Sequence, residues 1–262
     1  MNGVNIMGIM AGIAAIVAFA MSCRMLRGKK AATRTALLFI FSLLSLPSLF
    51  VAVYYLRLPL EYAWFYEMRS WRGSEFLIVF AGCAAGAAAT FLPRLLLVLP
   101  LSGLLGVAAI PYLKPVLLPL ADADFHEEWK NGACIQSTSS TGGPASISTI
   151  LKKLGSIGSE KDAARAVHTY QNGTEAWYLA RYVRSKGFKA RFDFHGTFSP
   201  TVELPAVVGV KLGNIGHFIP VLAVEPDHIV IADPLRGEER LPLHEFHRRY
   251  GFTGFHMLIS EH

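Results

Sequence analysis

The chain has 262 residues, 52% of them hydrophobic and 17% charged, with a net charge of +6 and a mean hydropathy of +0.38. A soluble globular chain carries about 25% charged residues, and the deficit falls in residues 1–120, so a wholly soluble molecule is excluded. Arg24, Arg27, Lys29, Lys30 and Arg34 share one short loop and no basic stripe interleaved with aromatics follows later, so the positive balance points to a membrane topology signal and away from nucleic acid.

The first apolar run covers residues 4–22 and has spanning length. No positive segment precedes it and no clear cleavage site follows, so it is read as a retained helix rather than a signal peptide. Further runs cover residues 35–56, 76–92 and 95–118, with Pro93-Arg94 as the turn between the last two. Residues 1–120 are thus expected to form an all-α transmembrane domain of four helices, in contact with membrane lipids. The loop from Arg24 to Arg34 carries only positive charge, which places it in the cytoplasm. The loop from Arg57 to Glu75 mixes both signs and is rich in aromatics: Tyr62, Trp64, Phe65, Tyr66 and Trp71. Such rings favour the headgroup level; a surface that docks the second domain or a membrane-bound substrate is the sharper reading. Four spans put both the N-terminus and residues 121–262 outside the cytoplasm, in an inner-membrane, multi-pass protein with a periplasmic or extracellular second domain. Loss of one span would reverse that side, and the run with internal prolines and Lys114 is the weakest. Gly82 and Gly86, four apart among alanines, suit close helix packing within the bundle. No run holds an acidic residue, which argues against ion translocation.

Residues 121–131 are polar and read as a connector. Gly143-Pro144 opens a helix whose apolar positions Ile147, Ile150, Leu151 and Leu154 repeat at helical spacing, and Gly155 ends it. Ser159 with Asp162 marks the cap of a second helix through Tyr170, and Thr174 the cap of a third that Gly187 stops. The pattern then turns to period two. Residues 188–194, 206–212, 217–225, 228–233 and 255–259 read as strands, with a short helix over 243–250. Helices first and an antiparallel sheet after give an α+β domain over residues 121–262. Of Cys23, Cys83 and Cys134, only Cys134 lies in this domain, so it holds no internal disulfide.

The soluble half begins with Cys134-Ile135-Gln136-Ser137-Thr138-Ser139-Ser140-Thr141-Gly142-Gly143-Pro144-Ala145. This resembles the active-site motif of the bacteriocin-processing, or double-glycine leader, peptidases, a papain-like family. Their pattern is a glutamine, five residues, then a cysteine opening a Cys-Gly-Pro-Ala helix; here Gly142 stands where that cysteine stands. Gly216-His217-Phe218, Ala232-Asp233-Pro234 and Leu243 to Phe246 match the family's later motifs in order. The resemblance implies a papain-like α+β fold and a cysteine peptidase that cuts after a small-residue pair. It gives His217 as general base, Asp233 as its carboxylate partner and Gln136 as oxyanion donor. Gly143, Gly216 and Phe218 are read as substrate contacts.

The chemistry of that set is coherent. A thiol at a helix start feels the positive end of the dipole, which favours thiolate. An imidazole pairs with it and later protonates the leaving amine. A carboxylate fixes the tautomer, and a side-chain amide donates to the oxyanion. Glycine at 142 offers no atom to acylate, and Cys134, Ser140 and Thr141 lie off the helix-start position. Two readings follow. Either the nucleophile has been removed deliberately, or the protein is a natural pseudopeptidase that serves as a peptide-binding scaffold in a secretion or assembly complex. The intact remainder of the set favours the first. The expected partner is a polypeptide substrate or leader peptide, with a membrane-complex partner possible in either case. His244 and His247 with nearby His256 are read as a solvated face rather than a metal site, and no cofactor is expected. No nucleotide-binding motif occurs, so ATP-driven export by this chain alone is not expected.

Overall fold

The computed structural model describes residues 3–55, 62–198 and 203–261. The chain divides into two compact units, Val4–Leu60 with Trp71–Leu117, and Met1–Gly3 with Glu61–Ser70 and Leu118–His262. The first unit is helical: α1 (Ile6–Leu26), α2 (Ala31–Tyr55), α4 (Ile78–Ala89) and α5 (Val98–Leu117), whereas α3 (Ala63–Ser70) belongs to the second.

In the helical unit α1 is capped by Asn5, whose side chain accepts from the Gly8 N–H at 2.8 Å. Small residues set the seam between α1 and α4. A Cβ at Gly82 would lie 2.2 Å from the Ala15 carbonyl oxygen, and one at Gly86 would lie 2.4 Å from that of Phe19. The backbones therefore touch, which is the packing role the spacing implied. Ile13, Val17 and Met21 on α1 and Phe39, Leu43 and Leu46 on α2 are exposed. Helices apolar on their outer face suit lipid, not water.

The four-span expectation is met in part. Among the described residues α1 and α2, with 21 and 25 residues, are the single helices long and apolar enough to cross a membrane. The run read over 76–92 is the shorter helix Ser74–Ala89, about 24 Å long at the α-helical rise against a hydrocarbon core of about 30 Å. The run read over 95–118 is bent by 62° between Arg94–Ala108 and Pro111–Leu117 and counts as a third span only if the bent pair is one. Pro111 has no N–H to continue the ladder, and its ring crowds the preceding turn. Residue 56, which closed the second expected run, lies outside the described residues.

In the second unit β1 (Glu128–Lys130) and β2 (Ala133–Ile135) form a hairpin where a connector was expected. Asn131 at φ 51° and Gly132 at φ 89° supply the left-handed two-residue turn that matches strand twist. Then come α6 (Gly142–Lys153), α7 (Glu160–Ala166) and α8 (Ala176–Ser185). The Ser159 cap is as expected, accepting from the Asp162 N–H at 3.0 Å. The third helix starts from Glu175, not Thr174. Thr174 instead shares a hydrogen bond with Thr169 at 2.7 Å. Strands β3 (Lys189–Phe194), β4 (Ala206–Leu212), β5 (Ile215–Val224), β6 (His228–Asp233), β7 (Gly237–Pro242) and β8 (Gly251–Ser260) make one antiparallel sheet in the order β3-β8-β4-β5-β6-β7, and α9 (Leu243–Arg249) precedes β8. This is the α+β arrangement the sequence implied.

Two features of this unit position the site. Every residue of α6 from Gly142 to Leu151 is buried, and its small polar residues bind backbone: Ser146 donates to the Phe218 carbonyl at 3.0 Å. Thr149 accepts from the Cys134 N–H at 2.8 Å. Behind β5 and β6, Val208, Ile219, Ile231, Phe246, Tyr250 and Leu258 belong to one apolar core. The helix start and the strand ends are thereby fixed with little freedom.

Candidate active site

The site is built where α6 begins. Gln136 follows β2, and its N–H donates to the Pro234 carbonyl at 2.9 Å, which ties the glutamine segment to the end of β6. Gly142 opens α6. His217 lies near the start of β5, opposite Val210 of β4, and Asp233 closes β6. His217 Nε2 lies 2.9 Å from Asp233 Oδ1. The other ring nitrogen faces the helix start. A Cβ built at Gly142 would sit 3.2 Å from His217 Nδ1 and 2.9 Å from Gln136 Oε1. Residues far apart in sequence, 136, 142, 217 and 233, thus surround one point.

Asp233 is fully buried. Burial alone would raise its pKa. Hydrogen bonds from His217, from the Leu235 N–H at 2.9 Å and from the Tyr250 hydroxyl at 2.7 Å outweigh that and hold the carboxyl below its ordinary value. His217 is shielded, with 8% of its side chain exposed. An anionic carboxylate on Nε2 keeps the proton there and leaves Nδ1 as the acceptor that faces position 142.

Gln136 reaches the site in a particular orientation. Its Nε2 donates to the Thr138 carbonyl at 2.8 Å, and its Oε1 is buried without a hydrogen-bond partner among the described residues. The donor that would serve an oxyanion thus faces Thr138, and the acceptor faces the slot; a half-turn of the amide exchanges them. Gly143 is a close approach: a Cβ there would lie 3.1 Å from Leu179 and 3.5 Å from Phe218. Phe218 also packs on Phe255 at 5.3 Å between centroids. Gly216 is exposed, with open space around its Cα.

The thiol and hydroxyls nearest in sequence to position 142 are engaged elsewhere. Cys134 is fully buried in β2, and burial, helped by Glu160, pushes its thiol up to about 12. The Thr141 hydroxyl donates to the Thr138 carbonyl at 3.1 Å, and that of Ser140 accepts from the Asn172 N–H at 2.9 Å. One expectation is corrected. His256, read with a solvated face, is fully buried in β8, stacked on Phe198 at 6.0 Å and tilted against Phe252 at 5.0 Å. Its position in a strand buried over six consecutive residues explains this. His244 and His247 are exposed. Among the described residues no group of three or more His, Cys, Asp and Glu could hold a metal. Sequence reading missed Tyr250, which no motif marked.

The sequence profile of the Peptidase C39 family matches residues 123–262, more than half of the chain. The chain belongs to the Peptidase C39 family. Its C39 region therefore has the papain-like fold of these cysteine peptidases, in agreement with the resemblance read from Gln136 to Asp233. An uncharacterized protein of Methanothermobacter marburgensis is 32% identical over 108 residues, 40% of this chain and 73% of that protein. One of Methanothermobacter thermautotrophicus is 30% identical over 129 residues, 48% of this chain and 86% of that protein. Among solved structures, the C39 region is similar to the peptidase domain of Streptococcus ComA, a bi-functional ABC transporter involved in a quorum sensing pathway. That match has 20% identity and a TM-score of 0.45, covering 51% of this chain and 100% of that one. It is also similar to a double glycine motif protease from an AMS/PCAT transporter solved with the leader peptide. There the identity is 18% and the TM-score 0.43, covering 53% of this chain and 100% of that one.

Proposed function

We propose that this protein is a membrane-anchored member of its peptidase family whose cleft receives an exported or membrane-bound polypeptide, in a form that lacks the nucleophile. The observation that carries this reading is the Cβ position at Gly142, 3.2 Å from His217 Nδ1, with Asp233 on the far nitrogen. A cysteine there would require the Gln136 amide and the His217 ring to draw back, since its Cβ alone would stand 2.9 Å from Oε1 and 3.2 Å from Nδ1; its sulfur would then face the imidazole from the positive end of α6. His217 would take the thiol proton, the thiolate would attack the scissile carbonyl, and the imidazolium would return the proton to the leaving amine. Gln136, after a half-turn of its amide, would donate to the oxyanion. Gly143, Gly216 and Phe218 would border the bound segment. With glycine in place, binding remains and acylation does not.

The intact dyad favours a nucleophile removed from a working peptidase. The second reading, a natural pseudopeptidase that holds a partner's segment in a larger membrane complex, is favoured by Gln136 Oε1, which lies 2.9 Å from where a Cβ would go. The two separate in one experiment on the full chain. Gly142→Cys is expected to restore labelling by a thiol-directed probe and cleavage of a co-expressed exported polypeptide, with His217→Ala abolishing both. A cysteine form that neither labels nor cleaves leaves the scaffold reading standing.

The same reading places the peptidase unit outside the cytoplasm. Met1–Gly3, Glu61–Ser70 and Leu118–His262 belong to one compact unit, and segments folded into one body share one side of a bilayer. If α1 and α2 both cross, that side is opposite the Arg24–Arg34 loop. Positive-inside bias assigns that loop to the cytoplasm. Residues 71–117 then cross an even number of times, whichever helices span. Protease added to intact cells with a permeable outer layer should digest residues 118–262 and spare the basic loop; the reverse pattern would overturn the assignment.

A further inference from the structure

We propose that Tyr250 is a positioning residue of the His217–Asp233 pair, acting through the carboxylate oxygen that the histidine does not use. The inference deepens the peptidase reading and rests on it for its meaning, though not for its test. Asp233 divides its two oxygens between different partners. Oδ1 takes the His217 ring and the Leu235 N–H, each at 2.9 Å. Oδ2 takes the Tyr250 hydroxyl at 2.7 Å, and the Arg236 guanidinium stands off at 3.9 Å with a 54% exposed side chain. The tyrosine hydroxyl is therefore the close donor on that oxygen, and it is buried: Tyr250 is 2% exposed and Asp233 fully shielded. A carboxylate held at one oxygen can still rotate about its last bond. Held at both, it fixes the plane in which Oδ1 meets the imidazole.

The fold delivers this hydroxyl deliberately. Tyr250 follows α9 and leaves the helical conformation, at φ −121° and ψ 122°. Its ring packs on Phe246 at 5.4 Å, and Phe246 is fully buried in the core behind β5 and β6. Arg249 anchors the helix end, pairing with Glu239 at 2.5 Å and Glu245 at 3.0 Å, and its guanidinium also hydrogen-bonds the Tyr250 side chain. The segment from Leu243 to Phe246, which matched a motif without a role, thereby acquires one: it is the arm that carries Tyr250 to Asp233.

The test uses the full chain in detergent and a variant with the same ring, Tyr250→Phe. With 15N-labelled histidine, the neutral ring of His217 in the present Gly142 protein should carry its proton on Nε2, the nitrogen that meets Asp233. Tyr250→Phe should broaden or shift that signal. The change should vanish in an Asp233→Asn background, which a merely structural role for Tyr250 would not require. In the Gly142→Cys form, Tyr250→Phe should lower kcat about ten-fold, the equivalent of one charge-assisted hydrogen bond, and leave KM nearly unchanged. A His217 signal and a kcat that ignore Tyr250→Phe overturn the proposal. Should the phenylalanine variant fail to fold, 13C-labelled tyrosine in the unaltered chain gives the answer. A Tyr250 phenol that ionises with free tyrosine, near pH ~10, is not bonded to Asp233. If Gly142→Cys is inert with Tyr250 in place, the peptidase reading fails while the histidine signal still decides this one.

Discussion

Two buried titratable residues of the peptidase unit set its acid stability, and they act in different windows. His256 is held below its ordinary value, first by burial and then by the neighbouring His195, with Asp193 opposing. The unfolded chain therefore takes up a proton near pH ~6.5 that the folded one refuses, so stability falls as pH drops below that value. Asp233 is likewise held low, here because hydrogen bonds outweigh burial. Its contribution is complete above the unfolded carboxylate pKa of about 3.9 and is lost as pH falls through the lower folded value. Thermal melting of the full chain against pH should thus show two descending limbs. His256→Phe should flatten the upper one and Asp233→Asn the lower; a melting curve unchanged by either substitution contradicts the assignment. Only part of this was legible in the sequence. His217, Asp233, Gln136 and Gly142 could be picked out because each belongs to a spaced motif. His256 and Tyr250 could not, because burial is decided by which strand neighbours which.

At the scale of elements, β4 and β6 were readable to the residue, since both are runs of β-branched and apolar residues over the core. β7 was not. It lies at the end of the sheet order and reads Gly-Glu-Glu-Arg-Leu-Pro, a polar sequence that suits an edge strand protected by charge. Glu238 pairs with Lys153 at 2.7 Å, so its charges are used as well as exposed. The opposite edge, β3, is covered in another way. Glu67 of α3 accepts from the Phe192 N–H at 2.8 Å and pairs with Arg184 at 2.6 Å. Tyr66 packs against Phe192, Phe194 and Phe255 at 5.3, 5.2 and 5.8 Å. The aromatic loop was read first as an interfacial anchor and second as a docking surface, and α3 fits the second. Glu67→Ala should destabilise the peptidase unit by about 1–3 kcal/mol, the cost of stranding a buried donor and a guanidinium, and should quicken amide exchange at β3 before other strands. Equal exchange across the sheet would argue against the edge role.

At the scale of the whole molecule, the unit that carries the site is assembled from three separated stretches of chain. A fragment cut at residue 118 keeps Gly142, His217 and Asp233 but loses α3. It should melt well below the full chain, and a peptide spanning residues 61–72 added in trans should recover part of the difference; a fragment as stable as the intact protein would show α3 to be dispensable. The C39 match begins at residue 123 and so could not announce this, because a profile follows contiguous sequence and α3 arrives from between two apolar runs. The Glu67–Phe192 bond spans 125 residues. At a synthesis rate of about 5–20 residues per second, α3 waits roughly 6–25 s on the ribosome's clock before β3 exists. During that interval Tyr66 lacks the rings of Phe192, Phe194 and Phe255 that it packs against in the folded unit. The chain therefore closes the β3 edge only after the strand has been made, and the edge stays open for that interval.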